Sequence, residues 1–308
     1  MAAVTEPLAY RNGRFVPFSE ATVSVADLSV VQGVTLTETL RTFGGRLRLA
    51  DEHAARMRRG AERLGFELPT IDELASVFAE TAERNRGQGW PDTLVTAVAS
   101  PGLSRVHSLG REAGPTLIVH VRPAPLAAYA DLYRRGWHLR SHVRMHADPA
   151  AFPRDIKHRS RLNWYLAQQR QGAEPRPADA PFLEPLFVDA DGVVTETNTG
   201  NVVTLSGRTL TLAPADRVLP GVTQALIREV CCGRGFRLEE RPQTLDEVCG
   251  ADEIMLTSGG YVLGPVTAID GREVGGGEPG CVWRSIAAAA GDRLGCDFVR
   301  QASGAGER

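Results

Sequence analysis

Long hydrophobic runs, paired cysteine motifs and a strong charge of either sign are all missing from this 308-residue sequence. Its most apolar short stretch, SIAAAAG from Ser285, falls far below the ~20 residues that span a bilayer, so no membrane partner is expected. A formal net charge of −2 gives no basic field for nucleic acid. The opening MAAVTEPLAY lacks the basic and apolar segments of a signal peptide, and five cysteines without a CxxC pair fit reduced thiols. These absences predict a cytoplasmic protein.

Lysine is almost absent, because 34 of the 35 basic side chains are arginine and the single lysine is Lys157. Arginine stays protonated and is a poor nucleophile, whereas a lysine amine with a lowered pKa can attack a carbonyl carbon. A lysine kept against this bias indicates either a task that arginine cannot perform or chance retention on the surface. Composition leaves both readings open, and the neighbouring motifs must decide between them.

Strand-like and helix-like segments are interspersed without regular βαβ alternation, which predicts an α+β fold in two domains. The smaller N-terminal domain is predicted over 1–121. The larger C-terminal domain, which would carry Lys157, is predicted over 129–308. The proline-punctuated stretch RPAPLAA at 122–128 is predicted to link them.

Local signals predict individual elements. Capping-box patterns at 70–73 and 244–247 predict two helix starts, and Asp-Gly at 191–192 predicts a hairpin turn. The stretch ATVSVADLSVV at 21–31 is predicted as strand and turn. The tail QASGAGER at 301–308 is predicted to be disordered.

The second half of the chain offers an amine, a carboxylate and a turn that suits phosphate. The amine is that of Lys157. Glu196 follows a strand into a polar loop, where a carboxylate can keep a pyridine nitrogen protonated or simply face solvent. Gly221-Val222-Thr223 opens a helix, which suits a phosphate dianion or is an ordinary capped start. Together these features predict a site for pyridoxal 5′-phosphate (PLP).

A series of motifs follows in order along nearly the whole chain. They are NGRFVP (12–17), G…ETLR…G (33–45), H-x-x-R (53–56), D-I-K (155–157), DG-x-V-T-E-x-x-x-x-N (191–201), L-P-G-V-T (219–223), ADEIMLTS (251–258), PV-x-x-I-D-G (265–271) and G-x-G-x-P-G (275–280). This series resembles the class IV (fold type IV) PLP enzymes. That family comprises branched-chain and D-amino-acid aminotransferases and aminodeoxychorismate lyases.

The resemblance implies a two-domain α+β fold with PLP between the domains, in a homodimer whose partner contributes to the substrate pocket. Lys157 would hold PLP as a Schiff base and move the substrate proton, and Glu196 would pair with the pyridinium. The residues implied to bind the phosphate are Arg56, Val222, Thr223, Ser258 and Gly259.

The chain departs from the family pattern at positions that concern the substrate. Val30, Val31 and Gln32 stand where an aromatic is common, and Thr37 replaces the usual Phe. The phosphate-binding Thr of the branched-chain enzymes aligns with Gly259. An arginine often found on the strand VTAVAS is missing, with Arg105 and Arg111 as candidate substitutes. The residues predicted to contact substrate are Thr37, Arg105 and Gly260.

Transamination is the predicted reaction, because Glu38 within TETLR matches the aminotransferase form of that segment. Aminodeoxychorismate lyase, which releases pyruvate and 4-aminobenzoate, stays open because K-H-x-x-R-L at 157–162 resembles the lyases. A non-catalytic PLP-binding homologue is the third reading.

Three histidines spaced four residues apart, at positions 138, 142 and 146, resemble a set of metal ligands. On a strand they would share one face with Arg140 and Arg144, and this cationic row would repel a metal ion. No metal site is therefore predicted.

Overall fold

The structure is a computed structural model that describes residues 6–110, 114–143, 153–173 and 183–305. Its backbone contacts divide the chain into two compact units. The first unit is Met1–Ala124 with Ile156–Ser160, and the second is Pro125–Asp155 with Arg161–Arg308. The short segment that carries Lys157, expected in the C-terminal domain, therefore clusters with the first unit.

The described part of the first unit contains one antiparallel sheet with two long helices. Its elements are β1 (Leu8–Arg11), β2 (Arg14–Pro17), α1 (Leu28–Val31), β3 (Leu36–Phe43), β4 (Arg46–Leu47), α2 (Ala50–Arg63), α3 (Ile71–Arg84), β5 (Thr93–Ser100) and β6 (Thr116–Pro123). Short 3-10 turns lie at Phe18–Glu20 and Arg86–Gln88. The strand order is β2-β1-β6-β5-β3-β4.

Alternation along the central strands gives this sheet two different faces. Apolar side chains of one face pack with α2 and α3 into a buried core: Leu36, Leu40, Met57, Phe78, Val95, Ala97, Val119 and Val121. The intervening residues point to the other face, and the strand register aligns Thr39 with Thr96 and His120 across three strands. That second face therefore carries polar side chains along β3, β5 and β6.

The capping box predicted at Thr70 is confirmed, since Thr70 and Glu73 exchange side-chain and backbone hydrogen bonds at the start of α3. The strand predicted in 21–31 is wrong, because α1 occupies its end. Asp27 is 1% exposed and accepts hydrogen bonds from the Ser29 N–H at 2.8 Å and from two hydroxyls. A buried carboxylate with these donors starts a helical turn in place of a strand.

The second unit contains a mixed sheet surrounded by helices. Its described elements are α4 (Leu126–Arg135), β7 (Trp137–Val143), α5 (Leu162–Ala173), β8 (Leu183–Val188), β9 (Val194–Thr197), β10 (Asn201–Ser206), β11 (Thr209–Leu212), α6 (Val222–Gly233), β12 (Arg237–Glu240), α7 (Leu245–Cys249), β13 (Glu253–Ser258), β14 (Val262–Ile269), β15 (Arg272–Glu273), α8 (Cys281–Leu294) and α9 (Phe298–Ala305). The strand order is β12-β11-β10-β13-β14-β7-β8-β9, and β9 also pairs with β10. Within the described ranges, no helix has the length and hydropathy needed to cross a bilayer.

Two predicted irregular stretches are helical in the structure. The helix α4 begins inside the stretch predicted as a linker, because Leu126 and Tyr129 are buried in the second unit. The tail was expected to be disordered from 301, yet α9 extends to Ala305. Phe298 and Ala302 are 0% exposed, and the Phe298 ring lies 5.7 Å from that of Tyr133. Burial of an apolar stripe thus outweighs the weak helix signal of the tail.

Candidate active site

The backbone of Lys157 is fixed against the edge of β3 in the first unit. The Thr37 N–H donates to the Lys157 carbonyl at 2.8 Å, and the Arg159 N–H donates to the Thr35 carbonyl at 3.3 Å. Ile156, the preceding residue, is 5% exposed and belongs to the core beneath the sheet. A single antiparallel bridge between Leu36 and His158 accompanies these contacts. The side chain that carries the sequence's only lysine amine is therefore anchored on a fixed backbone segment, which a reactive group requires.

A buried ion-pair network lies next to this segment. Alternation in β3 points Glu38 towards α2, where His53 and Arg56 share one helix face three residues apart. Arg56 donates from Nε to Glu38 Oε1 at 2.7 Å and from Nη2 to Oε2 at 2.6 Å. His53 Nδ1 lies 2.6 Å from Glu38 Oε2. The predicted phosphate ligand Arg56 is thus oriented by a carboxylate that is 0% exposed.

Electrostatics connect this network to the lysine. Burial alone would raise the pKa of Glu38, but the charges of Arg56 and His53 and their hydrogen bonds lower it instead. Burial lowers the pKa of His53, and the positive charges of Arg56 and Lys157 lower it further against the effect of Glu38. The Lys157 ammonium therefore lies within electrostatic range of His53.

The two predicted substrate residues of the first unit occupy different environments. Thr37 is buried, its N–H binds the Lys157 carbonyl, and its hydroxyl donates to the Ala97 carbonyl at 3.0 Å. Arg105 lies exposed on a turn after β5. The structure therefore brings Thr37 to the lysine segment, whereas the role of Arg105 stays a prediction.

Glu196 is the penultimate residue of β9 in the second unit and is 9% exposed. Its Oε2 accepts a hydrogen bond from the Leu219 N–H at 3.2 Å, and Asn201 Nδ2 donates to the Leu219 carbonyl at 2.8 Å. A tight turn at 197–200 joins Glu196 to Asn201, closed by the Thr197 hydroxyl and the Gly200 backbone. The carboxylate is thereby held between its own hairpin and the L-P-G-V-T corner.

The corner at Gly221 allows the helix α6 to begin close to this hairpin. A Cβ atom on Gly221 would lie 2.2 Å from Asn201 Oδ1, so any larger residue would displace the corner. Because the N-cap residue is glycine, it makes no side-chain cap hydrogen bond to the first turn of α6. The N–H groups of Val222 and Thr223 consequently stand at a positive helix end of the kind that binds phosphate.

The loop after β13 completes the set of predicted cofactor residues. Pairing of Glu196 with Asn201, and of Asn201 with Thr257, puts these three side chains on one face of the sheet. Thr257 Oγ1 is buried and has no hydrogen-bond partner among the described residues. Ser258, Gly259 and Gly260 follow directly and turn the chain into β14.

These residues fit PLP. The Thr257 hydroxyl is buried without a hydrogen-bond partner among the described residues. A ligand with a polar group on the face that carries Glu196 would satisfy it. A carboxylate, a helix N-terminus and nearby hydroxyls are the donor and acceptor set that a pyridine nitrogen and a phosphate require.

A buried acid outside the predicted site residues contacts the turn that follows Glu196. Glu184 of β8 is 4% exposed. Burial raises its pKa to about 7, although hydrogen bonds from Thr199 and Thr197 and the charge of Arg161 lower it. Tyr261 is also buried nearby, with its hydroxyl 3.3 Å from Thr199 Oγ1. An acid inside the apolar run LEPLFV is the signal that could have identified it.

Replacing Glu184 with glutamine is expected to flatten the dependence of stability on pH. The folded-state pKa of about 7 exceeds the usual 4.5, so this carboxyl favours folding at low pH and loses that contribution as the pH rises through 7. Between roughly pH 5.5 and 8.5, the unfolding free energy of the unmodified protein should fall by about 2 kcal/mol more than that of Glu184→Gln. Urea denaturation at both pH values measures this, with the exposed-site variant Glu273→Gln as control. Parallel profiles for Glu184→Gln and the unmodified protein would contradict it.

The histidine series does not form a metal site in the part of the chain that the structure describes. His138, Arg140 and His142 alternate along β7, as predicted, and Arg140 lies 3.9 Å from Asp270. His146 lies outside the described residues. No group of three or more metal-ligating side chains occurs among the residues described.

Comparison with known proteins places these observations in a family context. The family model described as Amino-transferase class IV matches residues 35–269. D-alanine aminotransferase of Bacillus licheniformis is 30% identical over 90% of this chain and 94% of its own length. Branched-chain-amino-acid aminotransferase-like protein 2 of Arabidopsis thaliana is 30% identical over 91% of this chain, which spans 49% of that protein.

Solved structures share the fold. The branched-chain amino acid aminotransferase of T.th., solved with pyridoxamine 5′-phosphate, superposes with a TM-score of 0.81 at 22% identity. The match covers 94% of this chain and 95% of that one. The predicted α+β class of fold type IV is thereby confirmed.

Proposed function

This chain belongs to the class IV aminotransferases, and from that premise we propose that it moves an amino group between an amino acid or amine and a 2-oxo acid. It is a PLP-dependent enzyme. The observation that carries the proposal is the single lysine, fixed by its backbone to β3 beside the Glu38–Arg56–His53 network. The relatives named above are aminotransferases, and none of them is named a lyase.

Bound PLP supplies an electron-withdrawing pyridinium ring that acidifies the Cα–H bond of the substrate. In the proposed mechanism, the Lys157 amine would hold the cofactor and, once the substrate amine has replaced it there, would accept and hand on the substrate Cα proton. The backbone of Lys157 is held at β3 by the Thr37 N–H, which anchors the side chain for this step.

The other predicted residues hold the cofactor in this proposal. The carboxylate of Glu196, steadied by the Leu219 N–H, keeps the pyridine nitrogen protonated. Charge and N–H groups for the phosphate come from Arg56, Val222, Thr223, Ser258 and Gly259. Thr37, Arg105 and Gly260 remain the proposed substrate contacts.

We also propose a cytoplasmic homodimer. Apolar side chains of two adjoining loops stand in solvent, with Val25 84%, Val106 83% and Leu109 91% exposed. The loops are joined through the Ser104 N–H and the Ala26 carbonyl at 2.9 Å. Apolar side chains gathered in this way favour burial by a second copy. Sedimentation of the holoenzyme, expected at twice 33.2 kDa, measures the assembly.

A substrate panel tests the activity. The holoenzyme is incubated with L- and D-amino acids or an amine together with a 2-oxo acid, and separately with aminodeoxychorismate. We expect a new amino acid in the first reaction and no 4-aminobenzoate in the second. Pyruvate and 4-aminobenzoate without amino transfer would establish the lyase reading. Bound PLP without turnover of any substrate would establish the non-catalytic reading.

A further inference from the structure

Asp27 is a buried carboxylate that has no part in the proposed mechanism. Its Oδ1 accepts hydrogen bonds from the Ser29 N–H at 2.8 Å and from the Ser100 hydroxyl at 2.6 Å. Its Oδ2 accepts from the Thr116 hydroxyl at 2.7 Å, and Thr116 lies opposite Ser100 where β6 begins and β5 ends. Burial raises the pKa of Asp27, but these hydrogen bonds outweigh burial and hold the pKa below its ordinary value. The carboxylate is therefore charged near neutral pH and tied to the ends of two strands.

The residues on either side of Asp27 bind the loop that follows β5 through their backbones. The Leu28 N–H donates to the Gly102 carbonyl at 2.8 Å, and the Ser104 N–H donates to the Ala26 carbonyl at 2.9 Å. A single antiparallel bridge joins Asp27 to the loop residue between these two contacts. The loop at 102–104 is therefore fastened to the segment 26–28, and the carboxylate of Asp27 fastens that segment to the sheet.

Arg105 follows this fastened loop directly, at the start of a closed turn. The Ser108 N–H donates to the Ser104 carbonyl at 2.9 Å, and the Ser104 hydroxyl lies 3.1 Å from His107 Nδ1. These contacts close the chain over 104–108, while Arg105 itself is exposed. An exposed side chain takes its position from the backbone that carries it, so the placement of the Arg105 guanidinium depends on where the loop is held.

We propose that Asp27 is a positioning residue for Arg105, because it holds the loop at 102–104 against the segment 26–28. Arg105 is the proposed substrate contact of this loop, and a displacement of about 1 Å at such a contact is enough to weaken it strongly. Asp27 acts only through Arg105, so its effect falls on substrate affinity and not on the chemical step. The inference rests on the proposed amino transfer and deepens it by naming a residue that sets substrate affinity from outside the contact itself.

Three measurements on the Asp27→Asn holoenzyme test this role. The amide nitrogen of asparagine cannot accept a hydrogen bond, so one of the three donors loses its acceptor. We expect amide hydrogen exchange over 101–108 to become at least about tenfold faster, because a hydrogen bond to a buried charge is lost. Butyrate binding, followed by calorimetry, should weaken at least about fivefold, whereas kcat for 2-oxobutyrate should change less than about twofold. Asp72→Asn, at an exposed acid of the same unit, is the matched control and should change none of these quantities.

Two further sets of variants separate positioning from a structural role. Thr116→Val removes one hydroxyl donor with little change in shape and should shift exchange and affinity in the same direction as Asp27→Asn. Thr116→Ser keeps the hydroxyl and should behave like the unmodified enzyme. Arg105→Gln should weaken butyrate binding by itself, and adding Asp27→Asn to it should weaken binding no further, because the side chain to be positioned is gone.

The outcomes separate this inference from the function on which it rests. Faster exchange with unchanged butyrate affinity in Asp27→Asn would overturn the positioning role, and so would further weakening when Asp27→Asn is added to Arg105→Gln. Unchanged affinity in Arg105→Gln would overturn the Arg105 contact and this inference with it, even with amino transfer intact. Failure of every acceptor in the unmodified enzyme, with butyrate affinity still dependent on Asp27 through Arg105, would overturn the amino transfer and leave the positioning role standing.

Discussion

The Lys157→Arg variant is expected to lose amino transfer, with kcat lowered at least about 10³-fold, while the fold is retained. Arginine preserves the positive charge and the long side chain, and the contacts that hold this segment are made by its backbone. A guanidinium stays protonated, however, so it can neither bond to the cofactor aldehyde nor accept the Cα proton. Turnover and circular dichroism measure the two halves of this expectation.

No other lysine of the sequence can compete for the cofactor in this experiment. Because Lys157 is the only ε-amine of the chain, borohydride reduction of the holoenzyme should attach the cofactor to the peptide that contains it. The variant should show no such attachment by mass spectrometry. Adding Arg46→Lys to Lys157→Arg restores one exposed lysine elsewhere and should restore neither attachment nor turnover. Turnover by Lys157→Arg at the native rate would remove the lysine from the mechanism.

Local sequence signals predicted the structure correctly where it depends on residues close in sequence. The Thr70–Glu73 capping box is formed, and so is the hairpin whose turn was predicted at 191–192. Prediction failed where distant contacts decide. Helix α9 exists because Phe298 packs on Tyr133, which lies far away in sequence. Lys157 joins the first unit because its backbone pairs with β3, a contact that no local pattern reveals.

For the candidate site too, residues within local motifs could be predicted, whereas contacts between residues distant in sequence could not. Motifs identify Lys157, Glu196 and Thr223, since each lies in a short stretch with a recognisable order of residues. The sequence did not indicate that Glu38 orients Arg56, or that Glu184 contacts the turn that follows Glu196. Those relations arise from strand register and burial, which join residues separated by more than ten positions.

The Glu196→Gln variant is expected to keep its hairpin and to lose about 10²–10⁴-fold in the rate of the first half-reaction. A glutamine oxygen can still accept from the Leu219 N–H, so that hydrogen bond is kept. Its neutral amide cannot stabilise a proton on the pyridine nitrogen, and the ring then withdraws electrons less strongly. Stopped-flow absorbance with a single amino substrate measures the half-reaction, and dialysis measures retention of the cofactor.

The comparison with Glu273→Gln, an exposed acid on β15, distinguishes a local electrostatic effect from a general change in charge. Both variants remove one negative charge from the second unit, but only Glu196 lies on the face that carries Asn201 and Thr257. A slow half-reaction with retained cofactor in Glu196→Gln alone supports the assigned role. Equal half-reaction rates in the two variants would mean that Glu196 does not keep the pyridine nitrogen protonated. Loss of the cofactor from Glu196→Gln would mean that Glu196 acts in cofactor binding rather than in the chemical step.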